Sequence, residues 1–264
     1  MKFQALGLPE TLCAALETNG ITEPTAVQNG AIPLVLLGRD LLSSAKTGSG
    51  KTLAFGLAVV SRLAASGNKR TAGRPRALIL APTRELALQI DRTVAPLAKA
   101  MKMNTCTVFG GVGQGPQVDA IRRGVDIVIA CPGRLEDLIQ QRHCQLDRVE
   151  VSVLDEADHM ADLGFLPGVK RLLDKVPTDA QHLLFSATLD NGIDVLVKKF
   201  LTNPVTHEAD SASSPVATME HHVLAVDKDT RMDVLTDLVS APGDRKSTRL
   251  NSSHSQQSRM PSSA

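Results

Sequence analysis

Two strings in this chain carry residue types suited to phosphate chemistry. The first is AKTGSGKT, from Ala45 to Thr52. Phosphates need several N–H donors at close range, and Gly48 and Gly50 let a backbone curl around them, with Ala45, Thr47 and Ser49 completing the loop. Lys51 then reaches the terminal phosphates of a nucleoside triphosphate, and the Thr52 hydroxyl can ligate Mg²⁺. The strict form of such a loop opens with Gly, where this chain has Ala45. The second string is VSVLDEAD, from Val151 to Asp158. It sets carboxylates at the end of an apolar run. Asp155 would hold the magnesium, and Glu156 would orient or deprotonate an attacking water. Alone, each string has an ordinary reading, a Gly/Ser loop or an acidic helix start. Together in one chain they imply nucleotide hydrolysis.

Loops of this kind work only if a rigid scaffold aims them. Short apolar runs at Asp40–Ser43, Ala77–Ala81, Thr105–Phe109, Ile127–Ala130, Val149–Leu154 and His182–Ser186 read as strands. They are nearly continuous in Val, Ile and Leu, as strands buried on both faces of a parallel sheet must be. Helical patterns fall between them at Leu53–Ala65, Thr83–Lys99, Gly115–Arg123, Arg134–Gln140 and Leu166–Lys175. The alternation predicts an α/β domain, a mostly parallel sheet with helices on both faces and its ligand at the carboxyl ends of the strands.

The 264 residues are 42% hydrophobic, enough for a sizeable core, yet contain no Trp or Tyr, so that core is aliphatic. A formal charge of +1 provides no global field for nucleic acid, so any such binding must come from local loops and helix ends. Cys13, Cys106, Cys131 and Cys144 show no C-x-x-C spacing, which suggests a reducing cytosol rather than disulfides or zinc. No run reaches membrane-spanning length, and the expectation is a cytoplasmic, monomeric protein without membrane association.

Further strings complete a pattern: GITEPTAVQ (Gly20–Gln28), APTRELA (Ala81–Ala87), the doublet Gly110-Gly111, CPGRLEDL (Cys131–Leu138) and Ser186-Ala187-Thr188. In this order, with the two phosphate strings, they resemble the DEAD-box family of ATP-dependent RNA helicases from about Phe3 to Val239. The opening FQALGLPETL is closest in kind to bacterial, RhlE-like members. The resemblance implies a RecA-like P-loop domain using ATP and Mg²⁺. It implies that Gln28 pairs with the adenine edge, while Ile21 stands where the family stacks an aromatic ring. Pro82, Thr83, Arg84, Gly110, Gly111, Gly133 and Arg134 would line an RNA backbone. Cys131 replaces the family's Thr and lacks its hydroxyl, a loss of about 1 kcal/mol of hydrogen bonding. Ser186 and Thr188 would bond to Asp158 and couple the nucleotide site to strand separation. Contacts of this kind read phosphate and sugar, so the expected RNA binding is sequence-tolerant.

Residues 1–207 form the expected ATP-binding domain, 208–218 a polar linker, and 219–243 the start of a second RecA-like domain. That start includes a strand at His222–Val226 and a helix at Arg231–Val239. The tail 244–264 has almost nothing to bury and reads as disordered. Asp244–His254 and Ser258–Ala264 are also what a sequencing-library adapter encodes, so the tail is set aside as adapter-derived. The chain contains no HRxGRxxR-type string. In the family such arginines come from the second domain, and losing an arginine finger costs ~10³–10⁵ in turnover. The expectation is a truncated chain that binds nucleotide with little turnover, its full-length parent being the helicase. The alternative is a stand-alone nucleotide- or RNA-binding module.

Overall fold

Seven strands in a computed structural model form one all-parallel sheet: β1 (Leu41–Ser44), β2 (Ala77–Leu80), β3 (Thr105–Val108), β4 (Ile127–Ala130), β5 (Val151–Leu154), β6 (Gln181–Ser186) and β7 (Val205–Glu208). Residues 2–45, 48–188, 192–208, 226–227 and 229–240 are described. The spatial order is β3-β4-β2-β5-β6-β1-β7. Helices cover both faces: α1 (Glu10–Thr18), α2 (Ala26–Leu36), α3 (Lys51–Ser66), α4 (Arg84–Ala100), α5 (Gly115–Arg123), α6 (Pro132–Gln140), α7 (Ala157–Asp162), α8 (Leu166–Leu173) and α9 (Ile193–Phe200).

The period-2 alternation of strand side chains divides the core in two. Ala77 and Ile79 of β2, Ile127 and Ile129 of β4, Val151 and Val153 of β5, and Leu183 and Phe185 of β6 pack with α1–α4. Their neighbours Leu78, Leu80, Val128, Ala130, Leu154 and Leu184 pack with α5–α9. A strand apolar on both faces has no polar face to show, which is why these runs look continuous in sequence. The two edge strands differ. In β3 half-buried and buried positions alternate, in β7 half-buried and exposed ones, and β7 (VTHE) has too few apolar residues to stand out as a strand. It was not among the expected strands. Glu208, expected to open the linker, instead ends β7.

Six of the seven strand exits on the carboxyl edge, all but that of β7, run into one of the strings singled out above. β1 leads to the phosphate loop and α3, β2 to APTR and α4, β3 to the glycine doublet, and β4 to CPGR and α6. β5 leads to DEAD and α7, and β6 to Ser-Ala-Thr. The ladder reaches into these loops: the Ala45 N–H donates to Ser186 O (3.1 Å), Asp155 N–H to Leu80 O (3.0 Å), and Cys131 N–H to Val108 O (2.8 Å). The loops therefore start from fixed points.

Met1–Ser213 forms one compact unit and Ser214–Ala264 another. In the second, α10 (Arg231–Ser240) falls where a helix was expected. The expected strand lies almost wholly outside the described residues, as do the tail and most of the linker. No helix among the described residues is long and apolar enough to cross a membrane.

Candidate nucleotide and RNA site

β6 lies between β1 and β5 in the sheet, so the loops leaving β1 and β5 stand two strand spacings apart, about 9–10 Å. That separation allows one ligand to touch both. Lys51, Glu156, Asp158, His159, Asp162 and Ala187 line a single cavity at this edge, joining the exits of β1, β5 and β6.

Lys51 opens α3 and is only 7% exposed. Its Nζ donates to Ala45 O at 2.9 Å, closing the loop upon its own first residue. Gly48 (φ +85°) and Gly50 (φ +93°) are left-handed, the conformation that glycine alone adopts at little cost. At Gly50 a Cβ would also lie 2.6 Å from Gln28 Nε2, which would have to move aside. The Ser49 hydroxyl is buried with no partner among the described residues. Thr52 sits half-buried in the first turn of α3. Thr47 lies outside the described residues.

Gln28 is held by hydrogen bonds within the protein itself. It is 3% exposed, and both ends of its amide are engaged. Oε1 accepts from Thr25 N–H (3.0 Å), the Thr25 hydroxyl accepts from Gln28 N–H (3.4 Å), and Nε2 donates to Gly50 O (3.2 Å). The first two bonds form a capping box at the start of α2. The T-x-x-Q spacing that signals such a box is legible in the sequence. The tether to Gly50 is not. Ile21 is half-buried and packs on the core.

Asp155 immediately follows β5, 3% exposed, and its Oδ1 accepts from Glu156 N–H (3.1 Å). Burial pushes its pKa up to about 6, although the Lys51 ammonium pulls it back. With the Thr52 hydroxyl, Asp155 offers the hard oxygen donors that Mg²⁺ prefers, and Mg²⁺ commonly completes its octahedron with water and phosphate oxygens. No group of three or more His, Cys, Asp or Glu among the described residues could hold a metal ion by itself. Glu156 is itself left-handed (φ 53°, ψ 53°), a strained conformation for a non-glycine residue and one the sequence does not announce.

Asp158 joins this edge to β6. Its Oδ2 accepts from the N–H groups of Ala187 and Thr188 (3.1 Å each) and from Thr188 Oγ1 (3.4 Å). Ser186 also bonds to Asp158, its hydroxyl accepting from the Asp158 N–H (3.3 Å). The two backbone amides, invisible to side-chain reasoning, supply most of the contact.

The remaining strings gather further along the same edge. Thr83 caps α4, its Oγ1 accepting from Leu86 N–H (3.2 Å), and Pro82 behind it is buried. Arg84 is exposed, with its guanidinium carbon 5.1 Å from the centre of the Phe109 ring. Arg134 Nη1 donates to Val112 O (3.2 Å), tying the CPGR loop to the glycine loop. A Cβ at Gly110, Gly111 or Gly133 would meet nothing within 4 Å. Only Gly111 needs glycine for its own backbone, at φ +79°. The protein's packing therefore does not demand glycine at 110 or 133, and an approaching backbone would use that room. Cys131 precedes α6 and makes no side-chain cap, and burial raises its thiol to about 11.

A parallel sheet with a Gly-rich, lysine-bearing loop at one strand exit and an Asp-Glu pair two strands away defines a RecA-like α/β domain. The family model for the DEAD/DEAH box helicases matches residues 25–195. The chain belongs to that family. It is 40% identical over 240 residues to the DEAD-box ATP-dependent RNA helicase 3A, chloroplastic, of Zea mays, covering 89% of this chain and 32% of that protein. It is 41% identical over 203 residues to the DEAD-box ATP-dependent RNA helicase 20 of Oryza sativa subsp. japonica, covering 77% and 41%. The crystal structure of a DEAD box protein from Methanococcus jannaschii superposes with a TM-score of 0.73 at 29% identity, covering 98% of this chain and 71% of that one. The chain thus spans about a third to two-fifths of the length of these plant relatives.

Proposed function

We propose that this chain is the ATP-binding, RNA-facing domain of an ATP-dependent RNA helicase. The observation that carries the reading is the single cavity at the exits of β1, β5 and β6, lined by Lys51, Glu156, Asp158 and Ala187. Lys51 would leave Ala45 O for the β- and γ-phosphates, and Thr52 and Asp155 would hold Mg²⁺. That ion, when bound, would neutralise phosphate charge. Glu156 would orient the attacking water and accept its proton. Asp158, bonded to the backbone of residues 187 and 188, would pass the state of the phosphate site to β6. Gln28 can read adenine only by exchanging its bond to Gly50 O, so base recognition and loop closure would be linked.

RNA would lie along Pro82, Thr83, Arg84, Gly110, Gly111, Gly133 and Arg134, held by phosphate and sugar contacts and therefore without sequence preference. Because the 264 residues contain no HRxGRxxR-type string, we expect them to turn ATP over slowly by themselves. A cytoplasmic monomer remains part of the proposal, supported by four unpaired cysteines. So does the RhlE-like subtype, which rests on the strings FQALGLPETL (Phe3–Leu12) and GITEPTAVQ (Gly20–Gln28).

Calorimetry with Mg-ADP and Mg-ATP on wild type and Lys51→Ala tests the centre of the reading. Binding should be measurable in the first and lost in the second; equal affinity would remove Lys51 from its role. A coupled ATPase assay with and without RNA tests the turnover claim, which strong RNA stimulation would overturn.

A further inference from the structure

We propose that His159 is a positioning residue for Glu156, its Nδ1–H holding the carboxylate over the phosphate cavity. The inference rests on the assignment of Glu156 to the attacking water.

Glu156 is the N-cap of α7, yet its side chain makes no cap bond and is free to point elsewhere. The left-handed backbone at this residue sets the direction in which the carboxylate leaves the chain. Among the described residues, its hydrogen-bonding side-chain partner is His159, with Nδ1 3.4 Å from Oε2. Both residues line the cavity, together with Lys51, Asp158, Asp162 and Ala187. Two neighbouring carboxylates are engaged by backbone: Asp158 Oδ2 by the 187–188 N–H groups, and Asp155 Oδ1 by Glu156 N–H.

The imidazole side chain is 45% exposed and the carboxylate 27%, so the pair sits at the mouth of the cavity. A pair this exposed adds little to stability. A carboxylate that must align a water differs, because small errors in its position are costly to rate. The distance is long for a hydrogen bond, as catalytic contacts often are before substrate tightens them. The helix geometry explains why the residues meet: positions i and i+3 share a face, and α7 starts immediately after Glu156.

The nitrogen that carries the proton decides the matter. A neutral imidazole bonded to a carboxylate through Nδ1 must carry its proton there. In ¹⁵N-labelled chain without nucleotide, at about pH 8.5 so that an ordinary histidine is neutral, the ring nitrogen shifts of His159 should show the Nδ1–H form. They should revert to Nε2–H in Glu156→Ala. A wild-type ring protonated only on Nε2 overturns the proposal whatever the variants do.

Single-turnover hydrolysis with protein in excess gives the second measurement. His159→Ala and His159→Gln should be slowed roughly tenfold with nucleotide affinity unchanged. His159→Asn, which can offer an N–H close to the place of Nδ1, should stay within about threefold of wild type. If all three variants behave alike, the positioning role is refuted. Failure of Glu156→Gln to slow hydrolysis would instead sink the underlying assignment of Glu156, a result separate from the tautomer.

Discussion

Replacing Gly50 by Ala tests whether the phosphate loop is held from behind by α2. The new Cβ would lie 2.6 Å from Gln28 Nε2 and 3.1 Å from Thr25 Oγ1, and the backbone there has φ +93°. Holding an L-residue in the left-handed region costs about 1–2 kcal/mol. Gln28 must also swing aside, giving up its bond to Gly50 O, a loss of about 0.5–1.5 kcal/mol. The lower entropy of an unfolded chain with Ala offsets roughly 0.4–1 kcal/mol. The net expectation is a destabilisation of about 0.5–3 kcal/mol. For a unit of this size that lowers Tm by roughly 1–12 °C. Urea unfolding of Gly50→Ala, Gln28→Ala and the double variant would measure it, with Mg-ADP affinity followed in parallel. Because both substitutions break the same tether, their effects should add to less than the sum. Full additivity, or a Gly50→Ala protein with unchanged midpoint and affinity, would refute the idea that Gln28 supports the loop.

Three other outcomes are expected. Glu156→Gln should slow single-turnover hydrolysis by roughly 10²–10⁴-fold while leaving Mg-ATP affinity intact; an unchanged rate would exclude it as the water-orienting group. For Asp155, a pKa raised to about 6 means that the folded state binds a proton more readily than the unfolded one. Stability is therefore lost as pH rises from about 4 to about 6, and Asp155→Asn should stabilise the nucleotide-free protein by about 1–3 kcal/mol at pH 7.5 but not near pH 4. Equal effects of Asp155→Asn at both pH values would contradict that electrostatic account. His182 has the opposite sign. Its ring is buried with Nδ1 2.6 Å from Ser152 Oγ, and burial lowers its pKa although Asp40 opposes this. Below about pH 6.5 the unfolded chain takes a proton that the native state resists. Urea midpoints should therefore fall between pH 7.5 and pH 5.5, less steeply in His182→Asn, and identical slopes would dismiss the effect.

Sequence by itself determined the parallel sheet, because a strand buried on both faces can show no polar residue. The runs at Ile127–Ala130 and Ala77–Leu80 could be little else. It also determined which strings bear phosphate chemistry, since few residue types can surround an anion or hold a divalent cation. β7 stayed hidden because an edge strand needs few apolar side chains and is recruited by its neighbour β1. Only the tertiary structure decided how the strings act upon one another. Strand order placed β6 between β1 and β5, and so made the backbone of Ala187 and Thr188 the partner of Asp158. Packing of α2 against α3 turned Gln28 toward Gly50 O. A left-handed Glu156 brought its carboxylate to His159. In each case at least one partner is a backbone group or a conformation, and neither carries a letter in the sequence.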